Sequence, residues 1–350
     1  MLEEHMPIDP IHLTRQLVDI ESTTYHEGLA GAFLHEFLTT QRYVVERMAV
    51  AQPELALTPG GGTGDRFNVY AAMPGITPDV VLSTHMDTVP PYFGTREDDQ
   101  FLYGRGTCDA KGIIAAQIAA AERLRDNGVK VGLLFVVGEE RDSAGAKVAN
   151  LSPKGSKFLI NGEPTDNRVA LASKGALRAV IRATGKMAHS AYPELGESAT
   201  HKMVEVLRRM LEIPLPETPD VGPSTMNIGT IHGGHAPNVI ADQAEAQVLV
   251  RLVGPSAETR HAIEQAVEGL ATVDFTLEIP FKRLRAIEGL PTMVAKFTTD
   301  IPWLSNWGEP VLMGPGSIHV AHTPHEKLAK NELFAAIDQY VEVARQLVAT

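Results

Sequence analysis

Three short, nearly continuous apolar runs constrain the fold of this chain more than any other feature. They span residues 79–84, 129–137 and 157–160, and a strong helical pattern over residues 110–124 separates the first two. Apolar strands that alternate with helices are typical of a parallel sheet covered by helices on both faces. We therefore expect an α/β domain with a mainly parallel sheet.

A second pattern begins near residue 171. Strands are predicted at 172–185, 225–232, 239–253 and 273–281, and helices at 199–213 and 257–271. Their order, β-α-β-β-α-β, is that of a ferredoxin-like unit. In the third strand every second residue from Ala244 to Leu252 is apolar, as in a half-buried strand. We predict that residues 171–281 form a smaller domain inserted into an α/β domain of residues 1–170 and 282–350.

Both ends of the chain are predicted to contain helices. Asp9 and Pro10 supply a cap and a first-turn proline, a second amphipathic stretch runs to about residue 38, and a final helix covers residues 331–348. The glycine-rich segment 59–64 invites comparison with a phosphate-binding loop. It lacks the lysine–hydroxyl ending of that motif and precedes a strand-like run, so we interpret it as an ordinary loop.

Charge and composition exclude several classes of function. The 350 residues suffice for about two domains. The 31 basic and 43 acidic residues give a net charge of −12, which disfavours nucleic acids and anionic membranes as partners. No apolar run approaches the ~20 residues that span a bilayer, and the acidic start of the chain is unlike a signal peptide. With Cys108 as the single cysteine, no intrachain disulfide is possible, and we expect a cytoplasmic protein.

Polar side chains follow each of the three apolar runs, and one more precedes the helix between them. In chain order they are His85, Asp87, Asp109, Glu139, Glu140 and Glu163. Ligands of open α/β sheets bind beyond the carboxyl ends of the strands, so these groups are expected in one crevice. So many carboxylates need a cation to neutralise them. Nitrogen and oxygen ligands without thiolate suit zinc, cobalt or manganese.

Each motif also has an ordinary structural interpretation. Asp109 is a plausible helix cap, the charged residues 139–142 resemble a solvated surface run, and Glu163 before Pro164 resembles a strand end. Taken together these interpretations are improbable, because four unrelated surface features would have to occur by chance at adjacent strand ends. If the chain is extended at Glu139-Glu140, the two side chains point in opposite directions. One is then free to bind metal while the other transfers a proton, and Asp87 is predicted to orient the His85 imidazole.

Four segments resemble the ordered motifs of a known family: STHMDTVP, GRGTCDAKG, GEE and NGEPT. They look like those of the co-catalytic zinc metallopeptidases, which include acetylornithine deacetylase, succinyl-diaminopimelate desuccinylase, aminoacylase-1 and carboxypeptidase G. The resemblance implies two zinc ions, for which cobalt or manganese are possible substitutes. The implied ligands are His85, Asp109, Glu140, Glu163 and His322. It also implies that Asp109 bridges the ions and that Glu139 is the general base.

The late histidine ligand is chosen by the resemblance. His319, His322 and His325 lie close together in the sequence, and their spacing alone does not separate them. The family pattern Ala-His-x-Pro-acid-Glu selects His322. His325 stands where the family has an acid.

Three residues of the inserted domain also match family elements. The resemblance implies that His189 polarises the scissile carbonyl, that Asn238 contacts substrate and that Arg251 receives a substrate carboxylate. For His232 and His235 we favour a plain hairpin loop. In this family the inserted domain joins two subunits, so the resemblance further implies a homodimer in which His189 reaches the partner subunit's metal site.

The expected function is that of a two-metal amidohydrolase that acts on small N-acyl amino acids. NGEPT, residues 297–300 and the segment GPGSI…AHTPHE look closest to the acetylornithine deacetylase branch. A dipeptidase or an aminoacyl-carrier hydrolase of the same family is the first alternative. The second is a non-catalytic metal- or ligand-binding protein on this scaffold, which the presence of Glu139 disfavours.

Overall fold

The computed structural model describes residues 8–52 and 66–349, so the predicted loop at 59–64 lies outside the described residues. The chain divides into two compact units. The first contains the described residues of Met1–Leu171, Leu284–Met293 and Thr299–Thr350, and the second contains Ala172–Arg283 and Val294–Thr298. The predicted division assigned 294–298 to the first domain. The structure corrects this, because Lys174 and Ser173 hydrogen-bond to the backbone of Ala295 and Phe297 in the second unit.

The helices within the described residues are α1 (Pro10–Val18), α2 (Gly28–Thr40), α3 (Lys111–Asp126), α4 (Ala144–Ala149), α5 (Ala199–Leu211), α6 (Ala257–Val267) and α7 (Lys330–Ala349). The strands are β1 (Val44–Ala49), β2 (Phe67–Ala72), β3 (Val80–His85), β4 (Arg96–Glu97), β5 (Phe101–Tyr103), β6 (Val131–Val136), β7 (Phe158–Asn161), β8 (Val169–Ser173), β9 (Gly175–Thr184), β10 (Ala188–His189), β11 (Glu217–Thr218), β12 (Gly222–Pro223), β13 (Thr225–Gly233), β14 (Val239–Ile240), β15 (Gln243–Leu252), β16 (Thr272–Ile279), β17 (Lys282–Arg283), β18 (Thr292–Ala295), β19 (Glu309–Leu312) and β20 (Lys327–Ala329). Short 3₁₀ turns lie at Pro193–Leu195 and Ile301–Trp303.

A six-stranded sheet in the order β1-β2-β6-β3-β7-β19 forms the centre of the first unit. The strands β6, β3 and β7 pair in parallel, as the three apolar runs predict, and β19, which was not predicted, adds a further parallel strand beside β7. β2 is antiparallel to both β1 and β6, which makes the sheet mixed at that edge. Because β3, β6 and β7 are parallel, their carboxyl ends lie side by side at the same end of the strands.

Alternate residues of the central strands belong to two different apolar clusters. Leu82 and Phe135 pack in the cluster that includes residues of α1, α2, α3 and α7. Val81 and Val136 pack in a second cluster with residues of α4. Because neighbouring residues of a strand point to opposite faces, both faces of the sheet are covered, as predicted.

The chain-end helices are confirmed. Asp9 caps α1 by accepting hydrogen bonds from the backbone N–H groups of Ile11 and His12. Most residues of α3 are buried, and α3 packs against α1 and α7. Within the described residues, none of the helices combines the length and apolar character needed to cross a membrane.

The second unit is built on a four-stranded antiparallel sheet in the order β13-β15-β9-β16. With α5 after β9 and α6 after β15, this is the predicted ferredoxin-like arrangement. The strand predicted at 239–253 is interrupted, so that β14 and β15 are separate. Along β15 the residues Ala244, Ala246, Val248, Val250 and Leu252 are buried, as the alternation predicts.

Candidate metal centre

His85 stands at the end of β3 with both ring nitrogens engaged. Its Nδ1–H donates to the backbone carbonyl of Asp87 at 2.9 Å. Its Nε2 lies 2.9 Å from Oδ1 of Asp109, whose carboxylate is also buried. The bond at Nδ1 sets the tautomer and leaves Nε2 as the ligand atom.

Asp109 faces two histidines with its two oxygens. While Oδ1 faces His85, Oδ2 lies 3.3 Å from Nε2 of His322. The same nitrogen of His322 is 3.0 Å from the carboxylate of Glu140. Asp109 therefore stands between a group containing His85 and a group containing His322 and Glu140, which is the position that a bridging carboxylate requires.

The donor set fits a metal ion. Ligand atoms of His85, Asp109 and Glu140 all lie within 4.8 Å of one another. Hydrogen bonds to Asp109 and Glu140 raise the pKa of His322 to about 10, so positive charge is favoured between these carboxylates. Metal binding requires neutral imidazole, and a bound cation would supply that positive charge.

Two further carboxyl groups of the cluster, those of Glu139 and Glu163, are buried in surroundings that disfavour their charged form. Burial raises the pKa of Glu139 well above its usual range, and the charge of Glu163 adds to the rise. Burial also raises the pKa of Glu163, which His85 opposes and Asp109 reinforces. Glu163 is 4% exposed and follows β7. Buried charge of one sign is costly unless a cation compensates it.

The Glu139-Glu140 pair lies in a turn after β6, not in extended chain. The predicted reason for its two different orientations was therefore wrong. Gly138 opens the turn with φ +80°, and a side chain at this position would clash with the Arg66 guanidinium. Arg66 is itself held in a buried ion pair with Glu27.

Asp87 lies beside both the His85 ring and the turn that carries Glu139 and Glu140. The His85 ring bonds the backbone carbonyl of Asp87, and the carboxylate oxygen is farther away, at 3.6 Å from Nδ1. The Asp87 carboxylate instead accepts the backbone N–H groups of Glu139 at 3.1 Å and Glu140 at 3.3 Å, and the Thr24 hydroxyl at 2.8 Å. The predicted part of Asp87 in orienting the imidazole stays a prediction, and its carboxylate also holds the backbone of the glutamate turn.

The late histidines differ in their surroundings. His322 faces Asp109 and Glu140, as described above. The backbone N–H of His325 donates to the Thr323 hydroxyl at 3.2 Å, and its side chain is exposed. His319 and His322 are also exposed, so the three histidines differ in their contacts and not in their exposure.

Of the predicted residues in the second unit, His189 is exposed and lies on β10. Its Nδ1 accepts the backbone N–H of Ala191 at 3.1 Å. The neutral ring therefore carries its proton on Nε2, where it is free to donate. Asn238 is exposed, and its backbone carbonyl accepts from Ser190 at 3.0 Å.

Arg251 lies half-buried on β15 with no hydrogen-bond or ion-pair partner for its side chain among the described residues, and burial lowers its pKa. An unpaired guanidinium suits an incoming carboxylate. His235 pairs with Asp242 at 2.8 Å. A cavity of about 620 Å³ in this unit is lined by both arms of the hairpin loop, including His235 and Ala236, and by the start of α5, including Thr200 and His201.

Two buried acids near the cluster escaped the sequence prediction of site residues. Asp300 is 1% exposed, no described donor makes a well-formed hydrogen bond to either carboxylate oxygen, and burial raises its pKa to about 7 despite the nearby Ser143 hydroxyl. Glu326 is equally buried and binds the loop that carries Asp109. Both lie in segments that resemble the family, Asp300 in 297–300 and Glu326 in AHTPHE. That resemblance was the sequence signal from which they could have been found.

Comparison with known proteins identifies the family. A family model described as "Peptidase dimerisation domain" matches residues 171–274. A probable carboxypeptidase of Aspergillus terreus is 38% identical over 93% of this chain and 83% of its own length. A peptidase M20 domain-containing protein of Schizosaccharomyces pombe is 37% identical over 94% of this chain and 82% of its own length. The chain belongs to the M20 peptidase family.

Solved structures share the M20 fold of this chain. A tripeptidase from Staphylococcus aureus has a TM-score of 0.79 at 21% identity and covers 99% of this chain and 100% of that chain. An M20 family metallo-carboxypeptidase from Sulfolobus solfataricus has a TM-score of 0.73 at 14% identity, with 98% of this chain and 100% of that chain covered. The predicted family and fold are confirmed, and this M20 protein is a metal-dependent hydrolase of the peptidase type.

Proposed function

We propose that this M20 hydrolase is a two-metal amidohydrolase that removes the acyl group from small N-acyl amino acids. The observation that carries the proposal is the placement of Asp109, whose two carboxylate oxygens face His85 and His322 separately. A carboxylate in this position suits two cations held side by side. Glu140, in the turn after β6, and Glu163, after β7, supply further oxygen ligands from the two strands that flank β3.

Two zinc ions bound here would polarise the amide carbonyl and make water a stronger acid. Glu139 takes the proton of the attacking water and later delivers it to the departing amine. Its pKa is raised by burial, which suits a group that must hold a proton between these two transfers. Cobalt or manganese would serve with the same ligands.

Two residues of the second unit are proposed to act on the substrate. His189 presents an Nε2–H donor, because its Nδ1 accepts from Ala191. A donor of this kind stabilises the negative charge that develops on the carbonyl oxygen. Arg251 is proposed to bind the free carboxylate of the amino acid, and Asn238 to contact the same substrate.

Cleavage of a peptide bond next to a free carboxylate is the second candidate. The names of the fungal relatives, probable carboxypeptidases, favour it. A dipeptide and an N-acyl amino acid share the amide and the carboxylate that the proposed residues recognise, and they differ in the group on the acyl side.

A hydrolysis panel separates the two candidates. N-acetyl, N-succinyl and N-formyl amino acids are offered beside dipeptides to protein stripped with a chelator and reloaded with zinc or cobalt. We expect no turnover without metal and preferential cleavage of the acyl amino acids. Preference for dipeptides supports the second candidate, whereas full turnover by metal-free protein contradicts both.

The assembly is proposed to be a homodimer, supported by the match of residues 171–274 to a peptidase dimerisation domain. β13 is one of the two edge strands of the four-stranded sheet in that unit, and it carries the exposed Ile231. An unpaired edge is a surface on which a second copy can dock.

A further inference from the structure

The Glu326 carboxylate, 1% exposed, makes four hydrogen bonds to one short loop. Its Oε1 accepts the backbone N–H groups of Gly106 at 2.9 Å, Asp109 at 3.1 Å and Cys108 at 3.2 Å. Its Oε2 accepts Nη1 of Arg105 at 2.5 Å. Within the described part of the chain, every hydrogen bond of this side chain is therefore to the loop that ends in Asp109.

The loop depends on Glu326 for these hydrogen bonds. Among the described residues, the N–H groups of Gly106, Cys108 and Asp109 have no backbone acceptor. Ala110, the residue before α3, has no side-chain cap. Buried N–H groups that lose their acceptor are expensive, so a carboxylate that satisfies three of them fixes the path of the loop.

Glu326 also belongs to the segment that carries the late histidine. It follows His322 by four residues, yet it lies 217 residues from Asp109 in the sequence. Through Glu326, the backbone of Asp109 is tied to the segment of His322. This connection brings the two side chains together, with Oδ2 of Asp109 3.3 Å from Nε2 of His322.

We propose that Glu326 is a positioning residue that sets the affinity of the metal position formed by His322, Asp109 and Glu140. The inference rests on the proposed two-metal function. Glu326 touches neither substrate nor metal and acts by holding Asp109 in register with His322. The position formed by His85 and Asp109 depends on it less, because Nδ1 of His85 is fixed independently by the Asp87 carbonyl.

Zinc titration of chelator-stripped protein by calorimetry tests this assignment. In Glu326→Gln, one carboxylate oxygen becomes an amide NH2 group, which donates and does not accept, so the bonds that this oxygen accepts are lost and the negative charge is removed. We expect one zinc to bind as in wild type and the second to bind about 10- to 100-fold more weakly. Excess zinc then restores turnover. The cobalt-loaded variant should show the visible absorption of the second site only at raised cobalt concentration.

Glu122→Gln is the matched control. Glu122 is a buried carboxylate on α3, bonded to Tyr43 and Arg125, and it lies roughly 16 Å along the helix from Lys111. We expect the Glu122→Gln variant to bind both zinc ions with the affinities of the wild-type protein. The two variants should lose similar thermal stability without metal.

Unchanged binding of both ions by Glu326→Gln, or equal weakening in Glu122→Gln, overturns the assignment. If Glu326→Gln does not fold, Glu326→Asp is used in its place. The shorter aspartate keeps the negative charge but holds its carboxylate oxygens farther from the backbone N–H groups of the loop. A weakened second zinc supports the assignment, and wild-type binding overturns it. Wild-type protein that binds two ions but cleaves no substrate of the panel contradicts only the proposed function. A single ion in wild type overturns both.

Discussion

At the scale of the residue, Glu139 and Glu140 are adjacent in sequence but differ in their contacts. The Glu140 carboxylate lies 3.0 Å from His322. The Glu139 side chain makes no hydrogen bond to another described residue, and burial raises its pKa. Its backbone N–H donates to the Asp87 carboxylate. These different contacts support our proposal that Glu140 is a metal ligand and Glu139 the general base.

Glu139→Gln is therefore expected to keep both metals and to lose turnover by roughly 100- to 10,000-fold, because the amide cannot accept a proton. Metal content by atomic absorption and kcat on the best substrate of the panel measure the two effects. Glu140→Gln is the comparison and should lose metal. The assignment is reversed if Glu139→Gln loses metal and Glu140→Gln does not.

Arg251→Ala is expected to raise KM about 10- to 100-fold for substrates with a free carboxylate, because a charge-assisted hydrogen bond is lost. Carboxyl-amidated analogues should be affected little. Arg182→Ala is the control, since Arg182 lies on β9 of the same sheet and is already paired with Glu245 and Asp274. Equal treatment of a substrate and its amidated analogue by wild-type protein would refute the role of Arg251.

At the scale of the element, the turn after β6 is shaped by a glycine. Gly138 has φ +80° and no room for a side chain beside Arg66. Gly128, after α3, has φ +78° and open space around it. The two positions share the backbone strain of a substitution but differ in crowding.

Gly128→Ala is expected to cost about 1 kcal/mol of unfolding free energy from backbone strain alone. Gly138→Ala should cost at least about 1 kcal/mol more, because Arg66 and its partner Glu27 must move. It should also weaken zinc binding through the displaced glutamates. Urea unfolding and zinc titration of both variants provide the measurement, and equal losses would show that crowding is unimportant.

At the scale of the whole molecule, the resemblance to the family implies that each metal site is completed by His189 of the other chain. Glu139→Ala and His189→Ala homodimers should each be nearly inactive. Mixed dimers should recover part of the activity, since one site then contains both an intact base and an intact histidine.

Co-expression with two different affinity tags isolates the mixed dimers. The activity of each homodimer under the same conditions is the control. Mixed dimers that form without recovered turnover would exclude action across subunits and leave the metal ligands unaffected.

Much of the architecture was determined by local sequence patterns. The apolar runs predicted the parallel strands β3, β6 and β7, and the alternation from Ala244 to Leu252 predicted the buried face of β15. Asp9 predicted the start of α1. Such patterns record which side of a strand or helix is buried, so they can be read without knowing the partner. They also placed His85 and Glu163 at neighbouring strand ends.

Tertiary structure decided what depends on contacts between distant residues. The antiparallel pairing of β2 with β6 joins segments about 60 residues apart, and residues 294–298 join the second unit by hydrogen bonds to residues 173 and 174. The chain at Glu139-Glu140, predicted as extended, is a turn in which Gly138 has φ +80° and the distant Asp87 carboxylate accepts both glutamate N–H groups. The bonds from Glu326 to the Asp109 loop cross 217 residues or more. A local pattern does not specify such partners, because the free energy that selects them is gained only when the folded chain brings them together.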